Sequence, residues 1–281
     1  MPNKRQYITS FSNPKVKWVA SLKEKRHRDA ENQFFIEGYR EIQKIISQSS
    51  IPSRSPIPCF TVKINSLFIS PECFLGENEN KLIERANCPV YELPRKIFEK
   101  ISYRDRPDGL IAIAEIPKSD FPWTNYPEIV TNPILIIEGV EKPGNLGTIL
   151  RTAEGAGVGL VLITDPRIDL FNPNVVRAST GTLFTLPTYT STIQDAIREL
   201  KTRGYHLYAV TPEGQTLYTS INLTEKSVLL FGSEQYGLTD EAKKGSDTTV
   251  FLPMYGEADS LNLAMSCGIV LYESIRQRKA T

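Results

Sequence analysis

The sequence predicts a two-part α/β protein: a small N-terminal α/β sandwich followed by a C-terminal α/β domain built on a parallel sheet. Three observations predict it. From Ile134 onward, near-continuous apolar runs ("ILIIEG", "GLVLIT", "HLYAVT", "VLLFGS", "TVFLP") alternate with helical patterns, as strands buried on both faces do. Before Pro117, shorter apolar runs separated by turn residues alternate with helical spacing, as in a smaller sandwich. Between them lies "KSDFPWTNYPEIVTNP", rich in proline and asparagine, which reads as a linker. The expected division is 1–117, a linker over 118–132, and 133–281.

Each element has its own signal. "NPKVKWVASLKEKRHRDAENQ" carries helical spacing at Val16, Val19, Ala20 and Lys23. "QFFIEG" reads as a strand, "YREIQKIISQ" as a helix, and "SLFIS", "PVYELP" and "DGLIAIAEIP" as further apolar runs. In the second half, helices are expected over 145–156, 192–203 and 260–279. The last is apolar on every side, through Leu261, Leu263, Met265, Ile269 and Leu271 among others. Such a helix must be buried all round, often against a second subunit.

Composition narrows the function classes. With 40% hydrophobic and 23% charged residues, the 281-residue chain is an ordinary globular sequence rather than a disordered one. No apolar run approaches the roughly 18 residues of a membrane span, and no signal-peptide pattern follows the N-terminus, so no membrane partner is expected. Four cysteines without CxxC spacing, and two histidines, make a metal site unexpected and fit a reducing, cytoplasmic setting. Before Gln33 the chain carries Lys4, Arg5, Lys15, Lys17, Lys23, Lys25, Arg26 and Arg28 against only Glu24, Asp29 and Glu31. That excess reads either as a polyanion-binding face or as a solvated helix face. A transit peptide fits less well, because Glu24 and Asp29 interrupt the basic stretch.

The segment "KPGNLGTILRTAEGAGVG" tests a nucleotide-binding reading. A dinucleotide fingerprint opens the helix after the first strand, whereas "GAGVG" closes one, so Gly155 and Gly157 read as helix-terminating residues in left-handed conformation. No GxxxxGK[ST] occurs, and a nicotinamide-dependent oxidoreductase is set aside. Arg151 lies off the apolar stripe of Leu146, Ile149, Leu150 and Ala153, one turn beyond Gly147. It either pairs on the surface with Glu138, Glu141 or Glu154, or faces a ligand across Gly147.

Two further strand ends carry polar residues. "VLLFGSEQYGLTDE" runs from an apolar strand into Glu234, which is either a carboxylate awaiting a donor or a cap for a helix starting near Thr239. "VFLPMYGEADSLNLAMS" places Ser260 and Asn262 at the start of the last helix, with Ser260 the plain N-cap candidate.

Together, "NLGTILRTA", "FGSEQYGL" and "LPMYGEADSLNLAMS" resemble the three motifs of the SpoU (TrmH-like) RNA ribose 2′-O-methyltransferases over residues 134–278. The basic region through "FFIEGYREI" resembles, more loosely, the substrate-binding domain often found ahead of that catalytic domain. Where relatives often carry His-Gln-Gly, this chain has Pro107-Asp108-Gly109. The resemblance implies a SPOUT α/β fold with a trefoil knot, S-adenosylmethionine (SAM) as methyl donor, and a homodimer through the C-terminal domain. It carries catalytic roles onto Asn145, Arg151, Glu234, Ser260 and Asn262, and cofactor contacts onto Gly232, Leu252 and Leu261 with Met254 nearby. Arg151 is the general base that the resemblance implies; guanidinium groups are poor proton acceptors near neutral pH, which suits it better to an electrostatic clamp on an RNA phosphate. Lys15, Lys17, Lys25, Arg26 and Arg28 are the expected RNA contacts. The implied substrate is structured RNA, ribosomal RNA ahead of tRNA, with a resistance methylase of the same layout or a catalytically inactive RNA-binding protein as alternatives.

Overall fold

The computed structural model describes residues 5–48, 55–126 and 133–280. Lys4 and the linker residues 127–132 lie outside the described residues. Through the N-terminal part run β1 (Arg5–Tyr7), α1 (Pro14–Ser21), α2 (Lys25–Glu31), β2 (Gln33–Glu37), α3 (Tyr39–Ser47) and β3 (Ile64–Ile69). Then come α4 (Glu79–Arg85), β4 (Val90–Glu92), α5 (Arg95–Ile101) and β5 (Leu110–Glu115). The rest of the chain forms β6 (Ile134–Glu138), α6 (Pro143–Gly155), β7 (Leu160–Thr164), α7 (Pro173–Ala178), β8 (Thr188–Ser191) and α8 (Ile193–Thr202). It ends with β9 (His206–Val210), β10 (Thr216–Leu217), β11 (Ser227–Phe231), α9 (Asp240–Gly245), β12 (Thr248–Phe251) and α10 (Leu263–Ala280).

These elements form two compact units that are interleaved in sequence. One comprises Met1–Pro52, Thr61–Lys118 and Asp169–Thr185; the other comprises Ser53–Phe60, Ser119–Ile168 and Leu186–Thr281. The sequence expects consecutive spans divided around 117–133. Two packing arrangements explain the exchange of segments. Within the first unit, Phe34 of β2 packs on Phe171 and Phe184, with ring centroids 4.9 Å and 5.9 Å apart, which draws residues 169–185 in. Within the second, Phe60 packs on Tyr189 of β8, whose hydroxyl donates to the Pro58 carbonyl at 2.8 Å.

The first unit holds a mixed five-stranded sheet in the order β1-β4-β3-β5-β2, with β5 antiparallel to both of its neighbours. Its core gathers Val16, Val19 and Leu22 from the first helical segment with Phe35, Phe68, Phe98 and Ile113. The single helix suggested by 13–33 is two helices: α1 closes at Ser21, and α2 begins after Glu24. The break has a function. Arg28, expected on the RNA surface, is only 1% exposed; its guanidinium donates to the carbonyls of Leu22 (2.9 Å) and Lys23 (2.8 Å) and to Asp169 (2.6 and 2.9 Å). A buried cation has to be satisfied in this way, so Arg28 is an interior strut and leaves the RNA-contact set. Asp108, at the departure from His-Gln-Gly, is also buried: it accepts from the Tyr39 amide at 2.8 Å and lies 3.7 Å from Arg104.

The second unit holds a seven-stranded, all-parallel sheet in the order β10-β12-β9-β11-β6-β7-β8. β6, β7 and β11 are buried along their whole length, so the continuous apolar runs are strands covered on both faces. Helix α6 ends in a Schellman arrangement: Val158 N–H bonds Ala153 O at 2.9 Å, and Gly157 N–H bonds Glu154 O at 3.1 Å. Only Gly157 is left-handed there (φ +73°); Gly155 is the last helical residue, which corrects the expectation that both terminate the helix. Among the described residues, no helix is long and apolar enough to cross a membrane, and no cluster of His, Cys, Asp or Glu could hold a metal ion.

Candidate active site

A cleft of about 460 Å³ opens where the loops after β9, β11 and β12 converge. These three strands are neighbours in the sheet, and the cleft lies beyond their carboxyl ends, where open parallel sheets present ligand sites. Its wall includes Val210 at the end of β9 and Glu213 beyond it, Gly232 to Gly237 after β11, and Leu252, Met254 and Ser260 to Leu263 after β12. Such a volume is typical of a small-molecule site.

The β11 loop is tightly closed on itself. Ser233 and Gly237 exchange backbone hydrogen bonds of 3.0 and 3.1 Å, and the Ser233 hydroxyl accepts from the Tyr236 amide at 3.1 Å. Gly232 permits the closure, since a Cβ there would stand 1.9 Å from the Gly237 carbonyl carbon. That overlap is with backbone and cannot be relieved by a rotamer change. Gly232→Ala is therefore expected to deform the loop and to weaken binding of the SAM that the sequence resemblance implies by about tenfold or more, measured by titration calorimetry, with the unit still folded by circular dichroism.

Along the β6 side of the cleft runs a chain of polar contacts. Glu234 accepts from the amides of Glu141 (3.0 Å) and Lys142 (3.1 Å) and from Asn145 Nδ2 (2.8 Å). Asn145 Oδ1 in turn accepts from Asn262 Nδ2 at 3.1 Å. Asn262 Oδ1 takes the amides of Ala264 (3.0 Å) and Met265 (3.4 Å), so Asn262 caps α10. Burial alone would raise the Glu234 pKa, but the donors from Asn145 and the Glu141 and Lys142 amides outweigh it and hold the carboxyl below its ordinary value. The carboxylate thus fixes both the Asn145 amide and the turn that opens α6.

The sequence-predicted residues fall into three groups. Glu234, Ser260, Asn262, Gly232, Leu252, Met254 and Leu261 all line the cleft, and Asn145 joins it through Glu234 and Asn262. Ser260 is exposed and is not the N-cap: the helix begins later than expected, at Leu263, and Asn262 takes the capping role. The helix near Thr239 is capped by Thr239 itself, whose side chain accepts from Ala242 N, so Glu234 is not that helix's cap. Arg151 stands apart. It lies six residues beyond Asn145 on α6, about 9 Å along the axis and roughly a third of a turn from it around the axis. It is exposed, and its side chain makes no hydrogen bond or ion pair among the described residues. Two of its alternative surface partners are engaged elsewhere, Glu138 with Thr239 and Glu141 with Arg167. Missed from the sequence were Glu213 and Lys243 on the cleft wall; a carboxylate just past the end of "HLYAVT" was the available signal.

The residues fit a SAM-sized ligand. Leu261 and Met254 keep 38% and 36% of their surface exposed at the cleft, apolar area that a flat heterocycle would cover. The closed Gly232 loop brings backbone close to that space.

Residues 132–272 match the SpoU rRNA Methylase family, and residues 13–112 match an MRM3-like substrate binding domain. A crystal structure described as an RNA 2′-O ribose methyltransferase is 33% identical, with a TM-score of 0.78 over 98% of this chain and 100% of that one. The chain belongs to the SpoU rRNA methylase family. An AdoMet-bound rRNA methyltransferase from Sinorhizobium meliloti is 29% identical, with a TM-score of 0.82 over 97% of this chain and 98% of its own. The Bacillus subtilis 23S rRNA (guanosine(2553)-2′-O)-methyltransferase RlmP is 26% identical over 94% of this chain and 97% of its own length. Family and geometry meet at one place: the three motifs sit on the loops that build the cleft and on the helix, α6, that borders it.

Proposed function

We infer that the protein is a SAM-dependent methyltransferase acting on a ribose 2′-hydroxyl of structured RNA, with large-subunit ribosomal RNA as its substrate. The observation that carries this is the joining of all three motifs into one hydrogen-bonded chain, Glu234–Asn145–Asn262, along a ligand-sized cleft. Ribosomal RNA is favoured over tRNA because the full-length relative from Bacillus subtilis is named for 23S rRNA and that from Sinorhizobium meliloti for rRNA.

In the bound state SAM supplies an electrophilic methyl on a sulfonium centre. Leu252, Met254 and Leu261 would cover its apolar parts, and the Gly232 loop would meet it with backbone. Asn145 and Asn262, their amides oriented by Glu234 and by the α10 terminus, hold the ribose so that the 2′-oxygen approaches in line. Arg151 would grip the phosphate beside that ribose and stabilise the developing alkoxide, the 2′-hydroxyl proton passing to solvent water as the oxygen–methyl bond forms and the sulfur–methyl bond breaks.

In this reading Arg151 serves the site of a second protomer. Helix α6 packs against α10, with Gly268 beside Thr152 and Tyr272 beside Gly155. The pair exposes Arg151, Thr148, Met265 (60%) and Tyr272 (57%). An apolar face around an arginine with no partner among the described residues fits a homodimer in which each Arg151 serves the partner's cleft.

RNA is held first by the N-terminal unit. Lys17 is exposed without a partner among the described residues, and Lys15 is exposed with its ammonium 4.7 Å from the Tyr91 ring centroid. Lys25 and Arg26 are exposed but paired with Asp29 (2.5 Å) and Glu24 (2.8 Å), exchangeable partners at the surface. The double substitution Lys15→Glu, Lys17→Glu is expected to weaken RNA binding about tenfold or more and to flatten its salt dependence, measured by filter binding between about 50 and about 200 mM salt. Equal binding by the charge-reversed protein would contradict the assignment. The function itself is tested by transfer of labelled methyl from SAM to unmodified 23S rRNA and to tRNA in parallel; transfer to tRNA alone would overturn the substrate class.

A further inference from the structure

We propose that Tyr236 is a stacking platform for the nucleobase next to the reacting ribose, so that the β11 loop reads the position of the base as well as the cofactor. The inference rests on the methyltransferase reading above.

Tyr236 lines the cleft, yet 65% of it is exposed, an unusual position for a large ring in a well-packed loop. The residue is held in place from both sides of the chain: its amide donates to Ser233 Oγ at 3.1 Å, and Gly237 next to it closes back onto Ser233. One flank of the ring meets the guanidinium of Arg167, 5.2 Å from the centroid. Arg167 is itself fixed, by an ion pair with Glu141 at 2.7 Å and by its amide to the Val140 carbonyl at 3.3 Å.

Glu141 links the platform to the site. Its backbone amide donates to Glu234, the carboxylate that orients Asn145. The series Tyr236–Arg167–Glu141–Glu234–Asn145 therefore ties an exposed aromatic ring at the rim to the amide assigned to the ribose. An aromatic face beside a cation, on the rim of a cleft, is the arrangement that accepts an unstacked base. A ribose held in line at the bottom of a cleft needs its base outside a continuous helix, and Tyr236 offers that base a surface. Stacking is tolerant of base identity, so Tyr236 sets affinity and position while leaving the choice among the four bases to other contacts.

The test measures methyl transfer to unmodified 23S rRNA across RNA concentrations at saturating SAM, for the unsubstituted protein, Tyr236→Ala and Tyr236→Phe, with SAM affinity measured separately by calorimetry. Tyr236→Ala is expected to raise the half-saturating RNA concentration about tenfold with SAM affinity unchanged, and Tyr236→Phe to stay within about twofold of the unsubstituted protein. Unchanged RNA dependence in Tyr236→Ala, or an equal loss in Tyr236→Phe, would overturn the platform. Loss of SAM affinity in Tyr236→Ala would also overturn it, by making the ring a support for the loop. No transfer by the unsubstituted protein would overturn the underlying reading, and the platform with it.

Discussion

Arg151→Ala is expected to reduce methyl transfer by about 10²–10³-fold or more, while SAM affinity and thermal stability stay at their unsubstituted values. The size follows from the role proposed for Arg151, a charged donor to the oxyanion that forms in the transition state. The selectivity follows from the structure: Arg151 is exposed and its side chain bonds to nothing among the described residues, so its loss leaves no buried partner behind. Arg151→Lys separates two roles. A lysine keeps a point charge but loses the planar fork, so substantial retained transfer would argue against a strict bidentate grip on phosphate. A mixture of Arg151→Ala and Asn145→Ala proteins adds a test of the dimer: if each Arg151 serves the partner's cleft, mixed dimers restore part of the activity that neither variant has alone.

Arg28→Met carries the largest expected effect on stability. The substitution keeps the hydrophobic stem and removes the guanidinium, leaving the carbonyls of Leu22 and Lys23 without their donor and Asp169 without its cation. Breaking one side of a buried ion pair costs about 3–5 kcal/mol, and the loss should appear as a lower urea midpoint for the first unit. Pairing it with Asp169→Asn should recover part of the loss, because the uncompensated carboxylate is then gone. A midpoint unchanged in Arg28→Met would show that the contact contributes nothing.

Arg28 also marks where sequence reading reaches its limit. Charge counting groups it with Lys15, Lys17, Lys25 and Arg26, because one-dimensional pattern cannot distinguish a solvated arginine from one that crosses to an aspartate 141 residues away. The parallel sheet was legible for the opposite reason: β6, β7, β9 and β11 are buried almost continuously, and burial writes itself into sequence as unbroken apolar runs. Short elements such as β1, β10 and α7 carry too few residues for periodicity to register. The assignment of 169–185 to the first unit depends on Phe171 and Phe184 finding Phe34, a long-range match that no local signal announces. Chain threading is equally silent, since periodicity reports faces and never the order in which a chain passes a loop.

Part of the site was legible in the sequence, and part was not. Glu234, Asn145 and Asn262 stand out in the sequence as polar residues at strand ends and helix starts, and the structure joins them in one chain of hydrogen bonds. Serine is a good N-cap, which makes Ser260 the expected cap, but the helix starts only at Leu263 and Asn262 caps it instead. The ring of Tyr236 had no sequence signal at all; its meaning depends on Arg167 arriving from the loop after β7.

Ribose methylation in this cleft is tested most directly by treating unmodified 23S rRNA with labelled SAM and the protein, with Arg151→Ala in parallel. The label is then mapped by nuclease digestion and mass spectrometry. The expected product is one 2′-O-methylated nucleotide, absent from the Arg151→Ala reaction. Label on a base, or transfer undiminished by Arg151→Ala, would contradict ribose methylation through Arg151.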